Sequence, residues 1–351
     1  MNILVIVELY FHKNKSGGEA YLHHFLKKVK QHTNANIEVL LPKQKEDKKY
    51  EFEGIIINET IESVEDCEVY VEKADCVVTQ LMLSSKVIEM ALEKDKEIIW
   101  ILHGYFAGFH KLMKHDRVIK IFNSRNVLID FSTKSNEKIN NYFIIYPFTD
   151  FPLLSQYKDK ELDRREYITF VNPVKNKGTE LILKLAKRNS DKKFLIVEGG
   201  YCKEEQQQYI TRFRELSNVH IIKNTKDIIN EIYLKSKIVI MASHYESYGM
   251  VASEARCFGI PVIINKNTKG LVENMGQLCL GGEGEETSEY QKIIDALDIP
   301  AMYHIWSNFY FESAEERYNE IEYQYEQFFK CVFKRVDEST KQELQDQHQD
   351  Q

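Results

Sequence analysis

The chain has 351 residues, of which 43% are hydrophobic and 29% are charged, and its formal net charge is −7 at pH 7. This composition is typical of a globular protein large enough for two domains, and it excludes a chain that is disordered throughout. The acidic balance disfavours a general role in nucleic-acid binding, which would require a basic surface.

Cysteine spacing and the first residues both predict a cytoplasmic protein. The six cysteines are scattered without a C-x-x-C pair, which suits reduced thiols better than a disulfide framework or a zinc site. The chain opens directly into an apolar run and lacks the basic stretch and cleavage site of a signal peptide. No apolar run approaches the roughly 20 residues that span a bilayer.

Short apolar runs alternate with helical patterns in the first half of the chain. The predicted strands are 2–7, 37–41, 53–57, 76–79 and 98–102, and the predicted helices are 19–31, 61–72 and 83–94. This alternation predicts a parallel sheet covered by helices. Gly17 and Gly18 lie between the first strand and its helix, a layout that offers backbone N–H groups to an anion. A flexible turn is the alternative interpretation.

Residues 101–125 combine basic and aromatic side chains in an otherwise acidic protein. Such a segment could meet a lipid phosphate or an anionic membrane surface, and it is the candidate for peripheral membrane contact. It could equally be a loop with buried aromatic rings and solvated lysines. The sequence alone does not choose between these interpretations.

A second α/β series follows the charged segment 151–166, which is the predicted domain boundary. Its predicted strands are 167–171, 193–197, 219–222, 238–241 and 261–265, and its helices are 178–188, 203–216 and 226–235. Neither a G-x-G-x-x-G nor a Walker A sequence is present, so dehydrogenase and P-loop functions lose their main support. After about residue 285 the pattern is helical, and 313–334 forms a long amphipathic segment.

The stretch from 238 to 264 carries the clearest site pattern. A buried strand, 238–241, is followed by a loop with Glu246, a turn at Gly249 and a helix with Glu254; Gly259-Ile-Pro261 ends that helix. Ligands of open α/β sheets bind beyond the carboxyl ends of strands, beside helix N-termini. We therefore expect both carboxylates to face one crevice.

This frame resembles the donor-site signature of the family 4 retaining glycosyltransferases (glycosyl transferases group 1), which have the GT-B fold. The resemblance implies an α/β protein with two Rossmann-like, doubly wound domains that face each other across a cleft. It predicts an acceptor domain at 1–155, a donor domain at 160–310, and a helix at 311–335 that crosses back onto the first domain. The tail 337–351 is rich in Gln and Asp and is predicted to be disordered.

The resemblance also assigns roles around the two carboxylates. Glu254 would hold the ribose hydroxyls of a nucleotide sugar, and Glu246 would hold hydroxyls of the transferred sugar. Backbone N–H groups near Tyr248, Gly249 and Met250 would bind sugar and phosphate oxygens. Gly270-x-x-Glu273 matches a further family element, although a solvated glutamate would fit that position equally well.

Phosphate binding is the point at which the chain departs from the family. Lys177 falls on the family's phosphate-binding lysine, but Asn172 stands where an arginine is expected, and Lys175 is a candidate to replace the lost charge. By the same resemblance, Gly17 and Gly18 would approach the donor phosphate and the acceptor. A histidine at a strand end is often structural, yet the family's histidine at the position of His103 reaches toward the donor sugar.

These features predict a retaining glycosyltransferase with Glu246 and His103 as its catalytic residues. It would move a sugar from a nucleotide-diphosphate sugar to a glycan, glycolipid or glycoprotein acceptor, without a metal ion or a cofactor. The alternatives are a GT-B scaffold that binds a nucleotide sugar without turnover, a sugar-nucleotide epimerase or a phosphorylase. The base, the sugar and the acceptor cannot be read from the sequence.

Overall fold

A computed structural model describes residues 1–11, 16–43, 48–105, 110–135, 138–160, 162–276 and 279–349. The chain divides into two compact units. Unit 1 comprises residues 1–148 and 321–351, and unit 2 comprises residues 149–320. The division between Phe148 and Thr149 lies just before the charged segment 151–166 in which the sequence placed it.

Unit 1 is built on an eight-stranded sheet. Its strands are β1 (Asn2–Ile6), β2 (Asn36–Pro42), β3 (Lys48–Phe52), β4 (Ile55–Ile61), β5 (Cys76–Gln80), β6 (Glu97–Leu102), β7 (Val118–Phe122) and β8 (Tyr142–Ile144). They lie in the order β3-β4-β2-β1-β5-β6-β7-β8, and every described pair except β3 with β4 is parallel. Val5, Val78 and Ile99 on its central strands are buried. The predicted parallel sheet is confirmed.

The edge of this sheet differs from the prediction. Residues 53–57 were predicted as a strand, but Glu53 and Gly54 form a turn with φ values of 47° and 80°. Strand β3 pairs with β4 in antiparallel fashion on either side of this turn. Two successive residues with positive φ favour a tight hairpin because their backbone twist matches that of the strands. The prediction missed β3 because Lys-Lys-Tyr-Glu-Phe has few apolar residues to mark a strand.

Helices of unit 1 follow the strands. They are α1 (Gly17–His32), α2 (Glu68–Val71), α3 (Ser84–Glu93), α4 (His110–Met113) and α5 (Arg125–Ser135). The predicted helix 61–72 is shorter because β4 extends through Ile61. Helix α5 was not predicted. Ser124 Oγ accepts from Val127 N–H at 3.2 Å and caps the start of this helix.

Unit 2 is built on a six-stranded parallel sheet. Its strands are β9 (Tyr167–Val171), β10 (Lys193–Val197), β11 (Val219–Ile222), β12 (Ser236–Met241), β13 (Val262–Asn265) and β14 (Leu280–Gly282). The order is β11-β10-β9-β12-β13-β14. Because all these strands point the same way, the loops after β10, β9 and β12 lie side by side at the carboxyl edge.

Seven helices of the described chain lie wholly within unit 2. They are α6 (Phe151–Leu154), α7 (Thr179–Arg188), α8 (Lys203–Phe213), α9 (Ile228–Glu231), α10 (Met250–Cys257), α11 (Lys269–Met275) and α12 (Thr287–Leu297). Helix α10 ends before Gly259, whose φ of 64° confirms the predicted left-handed position. The core combines sheet residues such as Ile196 and Val239 with helix residues such as Leu181.

The last helix, α13 (Pro300–Gln349), contributes to both units. Its residues through Glu320 belong to unit 2, and those from Ile321 onward belong to unit 1. Within unit 1, Phe328 packs edge-to-face on Phe25 of α1, with ring centroids 5.6 Å apart. Glu322 forms an ion pair with Lys28 at 2.5 Å.

Helical backbone extends through Gln349, where the sequence predicted disorder from 337 onward. The apolar content of this tail is low, and that was the basis for the prediction. Its Lys, Glu and Gln residues are good helix formers, however, and adding a turn to an existing helix avoids the cost of nucleation. The disorder of the tail stays a prediction.

The boundary segment contains a buried anchor. Arg165 is buried and donates to the carbonyl oxygens of Phe258, Tyr157 and Lys158, at 2.8, 2.7 and 2.7 Å. One guanidinium thus joins the segment that precedes β9 to the end of α10. Although the segment is rich in charge, this arginine makes part of it an integral element of unit 2.

Replacing Arg165 should destabilise unit 2. Arg165→Met removes all three hydrogen bonds and leaves carbonyl groups unpaired, which we expect to lower the free energy of unfolding by about 2–4 kcal/mol. Calorimetric unfolding will measure the change. The control is Arg164→Met at the exposed neighbouring position, for which we expect at most about 0.5 kcal/mol. Equal melting temperatures for the two variants would contradict the role given to Arg165.

Candidate functional site

Glu246 lies in the loop between β12 and α10 and is held by two side chains. It forms an ion pair with Lys177, and Ser243 Oγ donates to its Oε1 at 2.9 Å. The lysine and glutamate side chains are 18% and 13% exposed. Two charges so far from bulk water stabilise each other, because either one alone would lose much of its hydration without compensation.

Lys177 reaches this position from the loop after β9, in a short 3₁₀ turn formed by residues 175–177. The His244 N–H donates to the Asn176 carbonyl at 2.8 Å and joins the two loops. Burial pulls the pKa of Lys177 down, but Glu246 and Tyr201 outweigh it, so that the pKa is raised overall. The ammonium group is therefore charged at physiological pH.

The Glu246 loop is also fixed from the side of β13 and α11. The Ser243 carbonyl accepts from Thr268 Oγ1 and from Asn265 Nδ2, the latter at 3.2 Å. At Gly270 a Cβ atom would overlap the Glu246 carbonyl oxygen and would lie 2.8 Å from that of Ser247. Glycine is required at 270 because the two backbones touch. The glycine at position 270 thus allows the loop that carries Glu246 to pack closely against α11.

Gly249 begins α10 with a φ of 93°, a conformation that only glycine adopts without strain. Asn274 Nδ2 donates to the carbonyls of Tyr248 and Gly249, at 3.1 and 2.9 Å. The turn leads into α10, in which Ala252 N–H donates to the Gly249 carbonyl, while the N–H groups before Ala252 precede the regular helical hydrogen bonds. Those N–H groups, starting with Met250, can bind an anion. The sequence did not single out Asn274.

Glu254 lies in the second turn of α10 and accepts a hydrogen bond from the Tyr233 hydroxyl. Burial raises the pKa of the Glu254 carboxyl, and the hydrogen bond from Tyr233 lowers it by less. Glu246 and Glu254 therefore differ in environment. The first faces a cation, and the second faces a neutral phenol.

The loop after β9 places the other two phosphate candidates differently. Asn172 is buried, with a left-handed φ of 66°, and its Oδ1 has no hydrogen-bond partner within the described part of the chain. Lys175 is exposed, and its backbone N–H donates to Glu205 at 2.6 Å. Among the described residues, its side chain forms no ion pair with Glu246. The structure does not bring Lys175 to the ion pair.

Unit 1 brings Gly18 and His103 together at the carboxyl edge of its own sheet. A Cβ at Gly18 would lie 3.6 Å from His103 Cδ2. His103 Nε2 lies 2.7 Å from Gln80 Oε1, and its Nδ1 lies 3.4 Å from Asn123 Nδ2. This pattern fits the neutral tautomer with the proton on Nε2. Burial lowers the pKa of His103 to about 4, so the ring is neutral at physiological pH.

Gly17 and Gly18 form the first turn of α1, where Glu19 is also buried. Ser16 precedes the helix and donates to the Glu19 carboxylate. Burial raises the pKa of Glu19. This acidic group was not predicted as a site residue, although the Ser-x-x-Glu spacing at a helix start is a recognisable signal.

The basic and aromatic side chains of residues 101–125 separate in the structure. Lys120 is buried and donates to the carbonyls of His115 and Asn140, at 2.6 and 3.1 Å. Phe122 is buried in the core, and Arg117 forms an ion pair with Asp95. Phe106 and Phe109 lie outside the described residues. Membrane contact by this segment stays a prediction.

Within the described residues, no group of three or more His, Cys, Asp or Glu side chains could hold a metal ion. No helix in that part of the chain is long and apolar enough to cross a bilayer.

Comparisons with known proteins agree with this architecture. Residues 155–277 match the family model described as glycosyl transferases group 1. No curated protein matches the chain. The chain is similar to a glycosyltransferase from Rickettsia africae, with 13% identity, a TM-score of 0.76, and 95% of this chain and 98% of that chain covered.

Two further solved structures have comparable similarity. One is the Anabaena protein HepE in complex with UDP-glucose, with 15% identity, a TM-score of 0.74 and coverage of 95% and 100%. The other is sucrose-phosphate synthase from Thermosynechococcus elongatus, with 14% identity, a TM-score of 0.76 and coverage of 95% and 99%. At such identities the likeness shows the fold alone. That fold is the two-domain GT-B fold, and the match to the glycosyl transferases group 1 model covers residues 155–277 within unit 2.

Proposed function

We propose that this glycosyltransferase moves a sugar from a nucleotide-diphosphate sugar to an acceptor hydroxyl, with retention of the anomeric configuration. The observation that carries the proposal is the Lys177–Glu246 ion pair beside the start of α10. It combines a charged ammonium group, a carboxylate and a helix N-terminus at one sheet edge. The structural relative HepE is seen with UDP-glucose, which makes that donor the first to test.

Each part of the donor has a partner of suitable chemistry in unit 2. The diphosphate is an anion that the Lys177 ammonium and the N–H groups at the start of α10 can bind. The ribose has two neighbouring hydroxyls, and the Glu254 carboxylate can accept from both. The sugar hydroxyls can donate to Glu246. The hydroxyl of Tyr233 donates to Glu254 and orients its carboxylate.

Donor binding would change the partners of the ion pair. When the phosphate arrives, it competes with Glu246 for the ammonium group of Lys177, and the sugar hydroxyls offer Glu246 new hydrogen-bond donors. The pair is therefore suited to hold the diphosphate and the sugar at the same time. It also keeps both charges compensated before the donor arrives.

Catalysis at such a site is mainly stabilisation of the leaving group. When the sugar leaves, negative charge grows on the diphosphate, and preorganised donors are most effective at that point. Glu246 is paired with a cation in the free protein, which makes it a poor nucleophile. We therefore propose that the acceptor attacks from the side of the departing phosphate, without a glycosyl-enzyme intermediate.

A role in the transfer is also proposed for His103. Its neutral ring is held by Gln80 and Asn123. When the donor binds, the Nε2–H would exchange Gln80 for a sugar hydroxyl oxygen, which adds no charge to the site. Gly18 leaves room beside the ring. The acceptor is proposed to be a glycan, a glycolipid or a glycoprotein.

The alternative, binding without turnover, is favoured by one observation. Asn172 provides no charge at the position where the family has an arginine. A panel of UDP-, GDP-, dTDP- and ADP-sugars, assayed for nucleotide release without acceptor, separates the two functions. Release, with the anomeric configuration of the first product retained by NMR, supports transfer. Thermal stabilisation by a nucleotide sugar without release over a wide acceptor set would favour the binding protein.

Lys177 should dominate donor turnover. Lys177→Gln keeps a hydrogen-bond donor for Glu246 but removes the charge that the leaving phosphate needs. We expect kcat/KM for the donor to fall by about 10²-fold or more. Lys175→Gln is the matched control, two residues away and exposed. Similar losses in the two variants would mean that general surface charge, and not the ion pair, attracts the donor.

Glu254 should contribute to nucleotide affinity through its contact with the ribose hydroxyls. Glu254→Gln preserves the shape of the side chain and still accepts from Tyr233, but it weakens the contact to the two ribose hydroxyls. We expect the Kd for UDP, measured by calorimetry, to rise by about 10-fold or more. The Kd for 2′,3′-dideoxy-UDP should not change. Equal effects on both nucleotides would contradict the ribose contact, and Glu231→Gln on exposed α9 serves as the control.

Turnover should not require a metal ion. Lys177 and the helix N-terminus provide the positive potential that a cation would otherwise supply to the diphosphate. Donor turnover should therefore be unchanged by EDTA and should not increase with added Mg²⁺ or Mn²⁺. Loss of activity in EDTA that is restored by Mg²⁺ would show that a metal ion takes part.

A further inference from the structure

The loop that follows β10 is held by one buried side chain. Gln206 of α8 is buried, and its Oε1 accepts from the Gly199 N–H at 2.8 Å. Its Nε2 donates to the carbonyl of Gly199 at 3.3 Å and also to that of Tyr201. One buried amide therefore holds three backbone groups of this loop. Such a contact sets the position of the residue at its tip.

The residue at the tip is Tyr201, and its side chain is 45% exposed. Nearly half of this aromatic residue is exposed to solvent, so packing alone does not account for its position. The sheet order places β9 between β10 and β12, so this loop neighbours the one that carries Asn172 and Lys177. The two loops touch, because a Cβ at Gly199 would lie 2.5 Å from Asn172 Oδ1.

Electrostatic coupling agrees with this placement. Burial raises the pKa of the Tyr201 phenol, and the Lys177 ammonium group opposes that rise. Glu246 adds to the rise, and a hydrogen bond with Asn172 opposes it. Lys177 in turn has its pKa raised by Tyr201. The pKa of the Tyr201 phenol is therefore affected by both members of the ion pair.

We propose that Tyr201 is a binding residue for the diphosphate of the donor, supplying with Asn172 the hydrogen bonds that an arginine would otherwise make. The phenol O–H is a neutral donor, and phosphate oxygens accept only. Asn172 Nδ2 has two hydrogens, so it can donate one to the phenol oxygen and the other to the phosphate, and the single proton of Tyr201 remains available for the phosphate. Gln206 is the positioning residue, since it holds the loop and does not reach the ligand.

This inference rests on the proposed function and deepens it. It says that the leaving group is bound by one cation, one phenol and backbone N–H groups, and not by two cations. Asn172 suits this arrangement because asparagine tolerates a left-handed φ better than arginine does. The departure from the family pattern then has a local replacement, contributed by a different loop.

The test compares Tyr201→Phe with the wild-type chain in calorimetric titrations with UDP and with uridine. Removing the hydroxyl should raise the Kd for UDP by about 10-fold or more and leave the Kd for uridine unchanged, because only UDP has the phosphates. Tyr142→Phe is the matched control, a tyrosine that is 44% exposed on β8 of unit 1. We expect it to change neither Kd.

Three outcomes decide the matter. If the wild-type chain binds UDP and Tyr201→Phe binds it equally well, the role of Tyr201 is refuted while the proposed function stands. If Tyr201→Phe binds both UDP and uridine more weakly, the hydroxyl shapes the site and does not bind phosphate, and the proposed role of Tyr201 is also refuted. If the wild-type chain binds neither UDP nor the GDP, dTDP and ADP of the donor panel, the proposed function and this inference fall together.

Gln206→Glu provides an independent check on the loop. It retains an acceptor for the Gly199 N–H but replaces two hydrogen bonds to carbonyls by repulsive contacts. We expect Gln206→Glu to raise the Kd for UDP to the same extent as Tyr201→Phe does. The double variant should have a Kd for UDP no higher than that of either single variant. Fully additive losses would show that Gln206 does not act through Tyr201.

Discussion

The ion pair between Lys177 and Glu246 is the interaction on which the arrangement of unit 2 depends. Two charged side chains this far from water are stable only while each has the other. The pair joins the loop after β9 to the loop after β12, and the His244–Asn176 backbone hydrogen bond repeats that link. On the other side, Gly270 is pressed against the Glu246 backbone. The carboxylate is therefore fixed from both sides before any ligand arrives.

The central position of β9 explains why these groups meet. Residues separated by 69 positions in the chain come together because β9 and β12 are neighbours and parallel. The loops after them must share one edge. The same rule places Gln80, His103 and Asn123 of unit 1 together, since Gln80 ends β5 while His103 and Asn123 follow β6 and β7. Each unit thus collects its polar groups at the carboxyl edge of its own sheet.

Much of this could be predicted from the sequence because the pattern was local. Apolar runs and intervening helical periodicity indicated the central strands of both sheets, and the strand–loop–helix frame indicated Glu246 and Glu254. The edge hairpin and α5 were missed because turn chemistry and a single serine cap determine them. Arg165 was missed because its charge was taken to indicate solvent.

The sequence did not predict the contacts between loops that are distant in the chain. The sequence identified Lys177 only by resemblance, and nothing in it indicated that Asn274 would bind the carbonyls before α10. Gly270 was matched as part of a motif, but its reason became visible only when the carbonyl of Glu246 lay against it. Lys175 was a reasonable candidate by charge, yet its side chain is exposed. A charged residue that is close to a site in sequence need not have its side chain directed into that site.

The charges around the proposed phosphate site show what the asparagine at 172 implies. Lys177 and Glu246 cancel, Asn172 and Tyr201 are neutral, and the start of α10 adds only about half a positive charge. A site with so little net charge attracts a diphosphate weakly over distance, so it must bind by contact. Hydrogen bonds from neutral donors depend strongly on distance and angle. That dependence explains why a buried glutamine would hold the Tyr201 loop at three points, since a phenol displaced by even a small distance would no longer reach the phosphate.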